Sequence, residues 1–129
     1  MILDSTFLVD VLRGKSDVVE LEANLDASGT SFVSAVTTME LFEGIHLADA
    51  TDSERTAVEE LLTDVNELPF DRECAMWAGR ISAELAASGE PVDVTDVMIG
   101  ATALVRERPV ITRNVDHFER IEGLDVISY

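Results

Sequence analysis

The chain has 129 residues, 47% of them hydrophobic, which is enough for one domain with a real core and too few for two ordinary ones. Its 26 Asp and Glu against 9 Lys and Arg leave a net charge of −17, which argues against a nucleic-acid binder working through a basic surface, because phosphate contacts supply most non-specific affinity. No apolar block approaches the roughly 20 residues of a membrane span, so no membrane role is expected.

The charge balance has a second consequence. At about 1 M salt the Debye length shrinks to about 3 Å, so diffuse repulsion of an acidic substrate is screened while close contacts survive. The composition therefore points to a salt-loving source; the plain alternative is a mesophilic acidic protein with a basic partner. The start Met-Ile-Leu-Asp has no basic n-region, so no signal peptide is expected. A single cysteine, Cys74, excludes an intrachain disulfide and fits a cytoplasmic location.

In chain order, Met1 to Leu3 is an apolar run without alternation, as in the interior of a parallel sheet, and it ends in Asp4-Ser5-Thr6. Ligands of open α/β sheets sit beyond the carboxyl ends of such strands, which makes Asp4 a candidate; otherwise Asp4 or Ser5 only caps the next helix. Phe7 to Leu12 continues as a short helix stopped at Arg13-Gly14. Ser16 begins a second helix that ends at Ser28-Gly29, and Thr30 to Ser34 is a second strand. Ala35 to Asp49 has helical spacing, and Ser53 opens a further helix through Val65. Glu67 to Phe70 is a short strand placed at an edge by Pro69.

Asp71 then caps a helix from Arg72 to about Ser88, stopped by Gly89, and Pro91 to Asp93 forms a loop. Val94 to Arg108 is a helix whose small residues Gly100-Ala101-Thr102-Ala103 allow close approach to a sheet. Pro109 to Thr112 is a buried strand, Asn114 to Ile121 holds a helical turn, and Leu124 to Ser128 is the last strand. About five strands alternating with about seven helices imply an α/β fold with a mainly parallel sheet, and right-handed crossovers bring the strand-to-helix junctions to one edge. There is no internal repeat or linker, so residues 1–129 read as a single domain.

Three junctions carry acids besides Asp4: Glu40, Asp96 and Asp116. Each has a structural alternative, since Thr37 to Glu40 and, more loosely, Asp93 to Asp96 have capping-box spacing and first-turn acids suit the helix dipole. Together they point elsewhere. Two unit charges about 4 Å apart repel by about 4 kcal/mol at an effective dielectric of 20, so clustered carboxylates normally need a cation. Oxygen ligands alone favour a hard ion, Mg²⁺ or Mn²⁺, which can activate water and neutralise a phosphoryl group.

Met1 to Gly14 resembles the opening of PIN-domain ribonucleases, the VapC-type toxins of toxin–antitoxin pairs. Thr38-Met39-Glu40-Leu41-Phe42-Glu43-Gly44 resembles the internal Glu-Leu-x-x-Gly segment of that family. Asp96-Val97-Met98-Ile99-Gly100-Ala101 resembles its Asp-x-x-Ile-Ala-Ala helix with glycine for one alanine, and Thr112 to Ile121 resembles its closing segment. The four motifs occur in the family's order over nearly the whole chain.

The resemblance implies a PIN-like three-layer α/β/α fold with about five strands. It implies an Mg²⁺-dependent endoribonuclease that inhibits translation, with Asp4, Glu40 and Asp96 holding the metal. It also implies a cognate VapB-type antitoxin that covers the acidic site, and a homodimer. The fourth position is open between Asp116 and Asn114, because relatives carry an acid either at the place of Asn114 or at that of His117. Ser5, Thr6 and Thr112 are candidate orienting hydroxyls, and Asp93 is a further ligand or a cap. Arg13, Lys15 and Arg113, near the same edge, are candidates for RNA phosphate contact. His46 reads as an ordinary exposed side chain and His117 as a packing or water-binding one. Phe70, Met76 and Trp77 read as core or dimer contacts.

Two other classes compete. A receiver-type phosphoacceptor also gathers acids at strand ends but needs a lysine after a late strand, and the only lysine is Lys15. A catalytically inactive PIN-fold module binding RNA or protein would keep the scaffold and bind Mg²⁺ weakly.

Overall fold

A computed structural model describes residues 1–27 and 31–129; the expected helix stop at Ser28-Gly29 and the expected strand start at Thr30 lie outside the described residues. The order is β1 (Ile2–Leu3), α1 (Ser5–Leu12), α2 (Ser16–Ala27), β2 (Phe32–Ser34), α3 (Ala35–Leu47) and α4 (Asp52–Thr63). It continues with β3 (Asn66–Leu68), α5 (Arg72–Ala87), α6 (Val94–Val105), β4 (Val110–Ile111), α7 (Val115–Glu119) and β5 (Val126–Ile127).

The five strands form one parallel sheet in the order β3-β2-β1-β4-β5. Strand alternation sorts their side chains into two layers. Ile2 and Val110 face a cluster with Ala78, Ile81, Val97, Ile99 and Phe118 from α5, α6 and α7. Leu3, Val33 and Ile111 face the opposite cluster, with Phe7, Leu8, Leu41, Ile45 and Val58 from α1, α3 and α4. The result is a three-layer α/β/α arrangement with β1 between β2 and β4.

That placement decides where a site can form. The chain leaves β1 toward β2 and β3 and later returns to the other side of β1 as β4, so the carboxyl ends of β1 and β4 flank a topological switch point. Asp4 follows β1 and Thr112 follows β4, and the Asp4 N–H donates to the Ile111 carbonyl at 3.1 Å, which locks the two tips side by side.

Several boundaries differ from the expectations for local reasons. Helix α4 starts at Asp52 instead of Ser53 because Thr51 and Glu54 form a reciprocal capping box. Helix α3 ends at Leu47, with Asp49 at φ 48 turning the chain. Helix α6 ends at Val105, short of the expected Arg108, because the residue before Pro109 is disfavoured in the α region and Glu107 takes φ 54. Strand β3 lies at an edge but stops at Leu68, just before Pro69.

Candidate active site

Asp4 occupies the N-cap position of α1, yet its side chain makes no capping bond. The carboxylate is wholly buried and turned to the side: Oδ2 accepts the Thr112 hydroxyl at 2.7 Å and the Thr6 hydroxyl at 3.0 Å. Both threonines are themselves held, since the Arg113 N–H donates to Thr6 Oγ1 at 3.1 Å and the Asn114 N–H donates to Thr112 Oγ1 at 2.9 Å. Each hydroxyl has one proton and gives it to Asp4, so the 3.4 Å Thr6–Thr112 approach is a contact with no proton left to share. Asp4 Oδ1, the other oxygen of the carboxylate, is buried and has no hydrogen-bond partner among the described residues.

Glu40 lies in the second turn of α3. The cap of that helix is Ser34, whose hydroxyl accepts the Val36 N–H at 3.1 Å, so Thr37 is inside the helix and the capping-box reading of Thr37 to Glu40 fails. Glu40 is half-buried and its Oε1 has no hydrogen-bond partner among the described residues. Burial first, then the charges of Asp4 and Asp96, push its carboxyl from the ordinary 4.5 up to about 7, against a favourable bond to Thr95.

Asp96 is 7% exposed in the first turn of α6. Burial raises its carboxyl above the usual range; the hydrogen bond to His117 opposes this, while Asp4 and Asp93 add to it. His117 Nδ1, from α7, lies 3.0 Å from Asp96 Oδ2. Asp93 stands at the N-cap of α6 but makes no side-chain cap bond, so the capping reading of Asp93 to Asp96 fails as well. One ligand atom each from Asp93, Asp96 and His117 lie within 4.8 Å of one another.

Asp4, Glu40 and Asp96 are thus coupled through their charges, whereas the group of ligand atoms at ion-binding distance among the described residues is Asp93, Asp96 and His117, without Asp4 or Glu40. Ser5 is half-buried next to Asp4, and Asn114 is half-buried at the start of α7. Asp116 faces solvent and is outside the Asp93–Asp96–His117 group.

Lys15 and Arg113 are not free at the edge. Both turn onto Asp10, a residue 1% exposed on α1: Lys15 Nζ is 3.1 Å and Arg113 Nη1 3.2 Å from its oxygens, and the Tyr129 hydroxyl donates to Oδ2 at 2.7 Å. The Tyr129 bond, then Lys15 and Arg113, hold the Asp10 carboxyl below its usual value. Arg13 is exposed, with no ion pair among the described residues. Asp10 is the residue that the sequence did not single out; for His117 the resemblance marked the place, while its own side chain reads there as a packing or water-binding one. Asp10 had a signal in its i+3 spacing from Phe7, which puts it on the buried side of α1.

The chemistry of the donor set fits a divalent cation. A buried acceptor left without a donor costs about 1–3 kcal/mol, more if charged, and carboxylates crowded on one edge repel. A cation at the open oxygen of Asp4 would remove the first penalty and offset the repulsion among Asp4, Glu40 and Asp96.

The PIN-domain family model matches residues 1–124. The tRNA(fMet)-specific endonuclease VapC of Salmonella typhimurium is 32% identical over 96% of this chain and 93% of its own length. Ribonuclease VapC5 of Mycobacterium tuberculosis is 40% identical over 70% of this chain and 67% of its own. Among solved structures, DNA-bound VapBC from Salmonella typhimurium superposes with a TM-score of 0.90 at 31% identity, covering 98% of this chain and 96% of that one.

Proposed function

This chain belongs to the PIN-domain family and, within it, to the VapC ribonucleases, and we propose that it is an Mg²⁺-dependent endoribonuclease acting as the toxin of a toxin–antitoxin pair. It hydrolyses RNA phosphodiesters and so inhibits translation. The observation that carries the metal dependence is Asp4 Oδ1, buried and without a donor at the switch point of the sheet.

Asp4, Glu40 and Asp96 would hold the ion, which when bound supplies positive charge to an attacking water and to the phosphoryl oxygens. The chain's own residues prepare that event. Thr6 and Thr112 fix the Asp4 carboxylate by filling Oδ2, so that Oδ1 is the oxygen it presents. As the water attacks in line at phosphorus, the P–O bond to the departing ribose oxygen would break and the water's proton would pass to a carboxylate oxygen of this edge that the ion leaves free; Glu40, half-buried and with its carboxyl raised to about 7, suits that transfer. In this reading Asn114 orients that water, with Ser5 as a further hydroxyl. Asp116, facing solvent, is given no bond to the ion in this reading. Of the three basic candidates, Arg13 is the one available to RNA phosphate.

The partner proposed is a VapB-type antitoxin, supported by the likeness to a chain solved within a VapBC complex. A groove of about 350 Å³ between α1, α3 and α4, lined by Val9, Leu12, Leu41, Ile45 and Val58, has Glu40 on its wall. An apolar antitoxin segment lying there would cover the acids. Met76 and Trp77, exposed at 68% and 39% on α5, are the surface proposed for a homodimer.

The test is cleavage of RNA by the purified protein with Mg²⁺, beside Asp4→Asn and Asp96→Asn. The wild type should cut, chelation should stop it, and each variant should lose about 100-fold or more, the effect of a few kcal/mol at the transition state. Equal activity in all three proteins would remove the mechanism. A wild type that binds antitoxin without cutting RNA would favour the inactive module.

A further inference from the structure

Asp96 is the one carboxylate with chemistry on both sides. Its carboxylate feels the charge of Asp4 and acts on that of Glu40, and one of its oxygens lies within 4.8 Å of ligand atoms of Asp93 and His117. Asp93 sits where a helix cap belongs and caps nothing, so its oxygens are not committed to the backbone of α6. His117 Nδ1 is 3.0 Å from Asp96 Oδ2. That spacing suits a hydrogen bond, and it equally suits two adjacent ligands of an octahedral ion, whose donor atoms are about 3 Å apart when the bonds are about 2.1 Å.

A hydrogen bond needs only two of these groups, whereas one ligand atom each from Asp93, Asp96 and His117 lie within 4.8 Å of one another, as the donors around a single ion do. A lone Asp96–His117 bond also leaves the buried Oδ1 of Asp4, on the same edge, without a partner among the described residues.

We propose that His117 is a metal ligand, through Nδ1, of a mixed nitrogen–oxygen site formed with Asp93 and Asp96, and that this site takes a first-row transition ion in preference to Mg²⁺. The inference rests on the reading that the acid edge binds a divalent cation, and it changes the chemistry of that edge. Asp4, Glu40 and Asp96 alone offer only oxygen, which suits Mg²⁺; an imidazole nitrogen favours first-row transition ions, whose affinity for such sites rises from Mn²⁺ onward. Asp96, shared by both groups, then couples the acid centre to α7.

Mn²⁺ is the probe, because it is paramagnetic and reports a bound nitrogen directly. The metal-stripped full chain is loaded with one equivalent of Mn²⁺ and its electron spin-echo modulation recorded, together with competition against Mg²⁺. The chain has two histidines, His117 and the exposed His46 on α3, so the controls are His117→Gln and His46→Gln. The wild type should show ¹⁴N modulation, His46→Gln should keep it and His117→Gln should lose it. The preference for Mn²⁺ over Mg²⁺ should fall by about tenfold or more in His117→Gln, since even the outer partners of ligands are worth that much.

Bound Mn²⁺ without nitrogen modulation, or modulation that survives in His117→Gln, overturns the inference and leaves the oxygen site standing. Failure of the wild type to bind either ion overturns both. If His117→Gln does not fold, the wild-type and His46→Gln spectra decide the matter alone.

Discussion

Thr112 and Thr6 explain how one carboxylate is held with an oxygen to spare. Their hydroxyls converge on Asp4 Oδ2 at 2.7 and 3.0 Å, and each is aligned by a backbone N–H from the turn between β4 and α7. Replacing Thr112 by the nearly isosteric valine takes a donor from a buried carboxylate and should cost about 1–3 kcal/mol, read as a lower unfolding midpoint. RNA cleavage should fall by about 10–100-fold, as for other partners that orient metal ligands, and Thr112→Ser should recover most of both. Glu40 supplies a pH dependence. Its folded carboxyl titrates near 7 against an ordinary 4.5, so between those values the folded state holds a proton that the unfolded state has released. The metal-free protein should therefore lose stability as pH rises from about 4.5 to about 7, and Asp96, raised in the same direction, adds to the loss. Added Mg²⁺ should raise the melting temperature more at pH 8 than at pH 5, and thermal scans at the two values check it. Asp4 and Glu40 were legible as candidates because an apolar strand ending in an acid, or an acid one turn into a helix after a strand, points to one sheet edge. For His117 the resemblance marked the position, but its bond to Asp96 was not legible, because it depends on how α7 packs beside a residue 21 positions earlier.

Helix α6 shows what brings Asp96 to that edge. Its buried residues Val97, Ile99, Ala101 and Ala103 pack into the layer over the sheet, and Gly100 makes room for Ile121. A Cβ on Gly100 would lie 2.5 Å from Ile121 Cδ1, well inside contact distance. Gly100→Ala should thus lower stability by about 1–2 kcal/mol even though alanine is the better helix former, because the buried Ile121 must shift. Adding Ile121→Val removes the offending methyl, so the double variant should be more stable than the sum of the single changes, measured by denaturant unfolding. The small residues of this segment were readable as close packing, whereas the partner requiring the glycine was not. The helix ends divide in the same way: Asp71 capping α5 and Gly14 after α1 carry local signals, and Thr51 displaced Ser53 only because a reciprocal pair with Glu54 won. Lys15 and Arg113 misled for a related reason. Their position near the edge was right, but a buried Asp10 one turn into α1 claims both charges.

At the scale of the whole molecule, strand order links these details. With β1 between β2 and β4, a sequence of alternating strands and helices delivers Asp4, the start of α3 and Thr112 to one edge, and the parallel sheet could be anticipated from unalternating apolar runs and crossover handedness. Within a chain of net charge −17, Asp4 and Asp96 are buried and Glu40 is half-buried, so the acids of the edge are partly withdrawn from water. The central claim is that this edge is built to receive a divalent cation, with Asp4 Oδ1 as the oxygen it awaits. Calorimetric titration of Mg²⁺ into metal-stripped wild type and Asp4→Asn at pH 8 tests it most directly. Saturable binding to the wild type, weakened about tenfold or more in Asp4→Asn as expected for loss of a ligand, is the predicted result; equal binding by the two proteins, or none by the wild type, would contradict it.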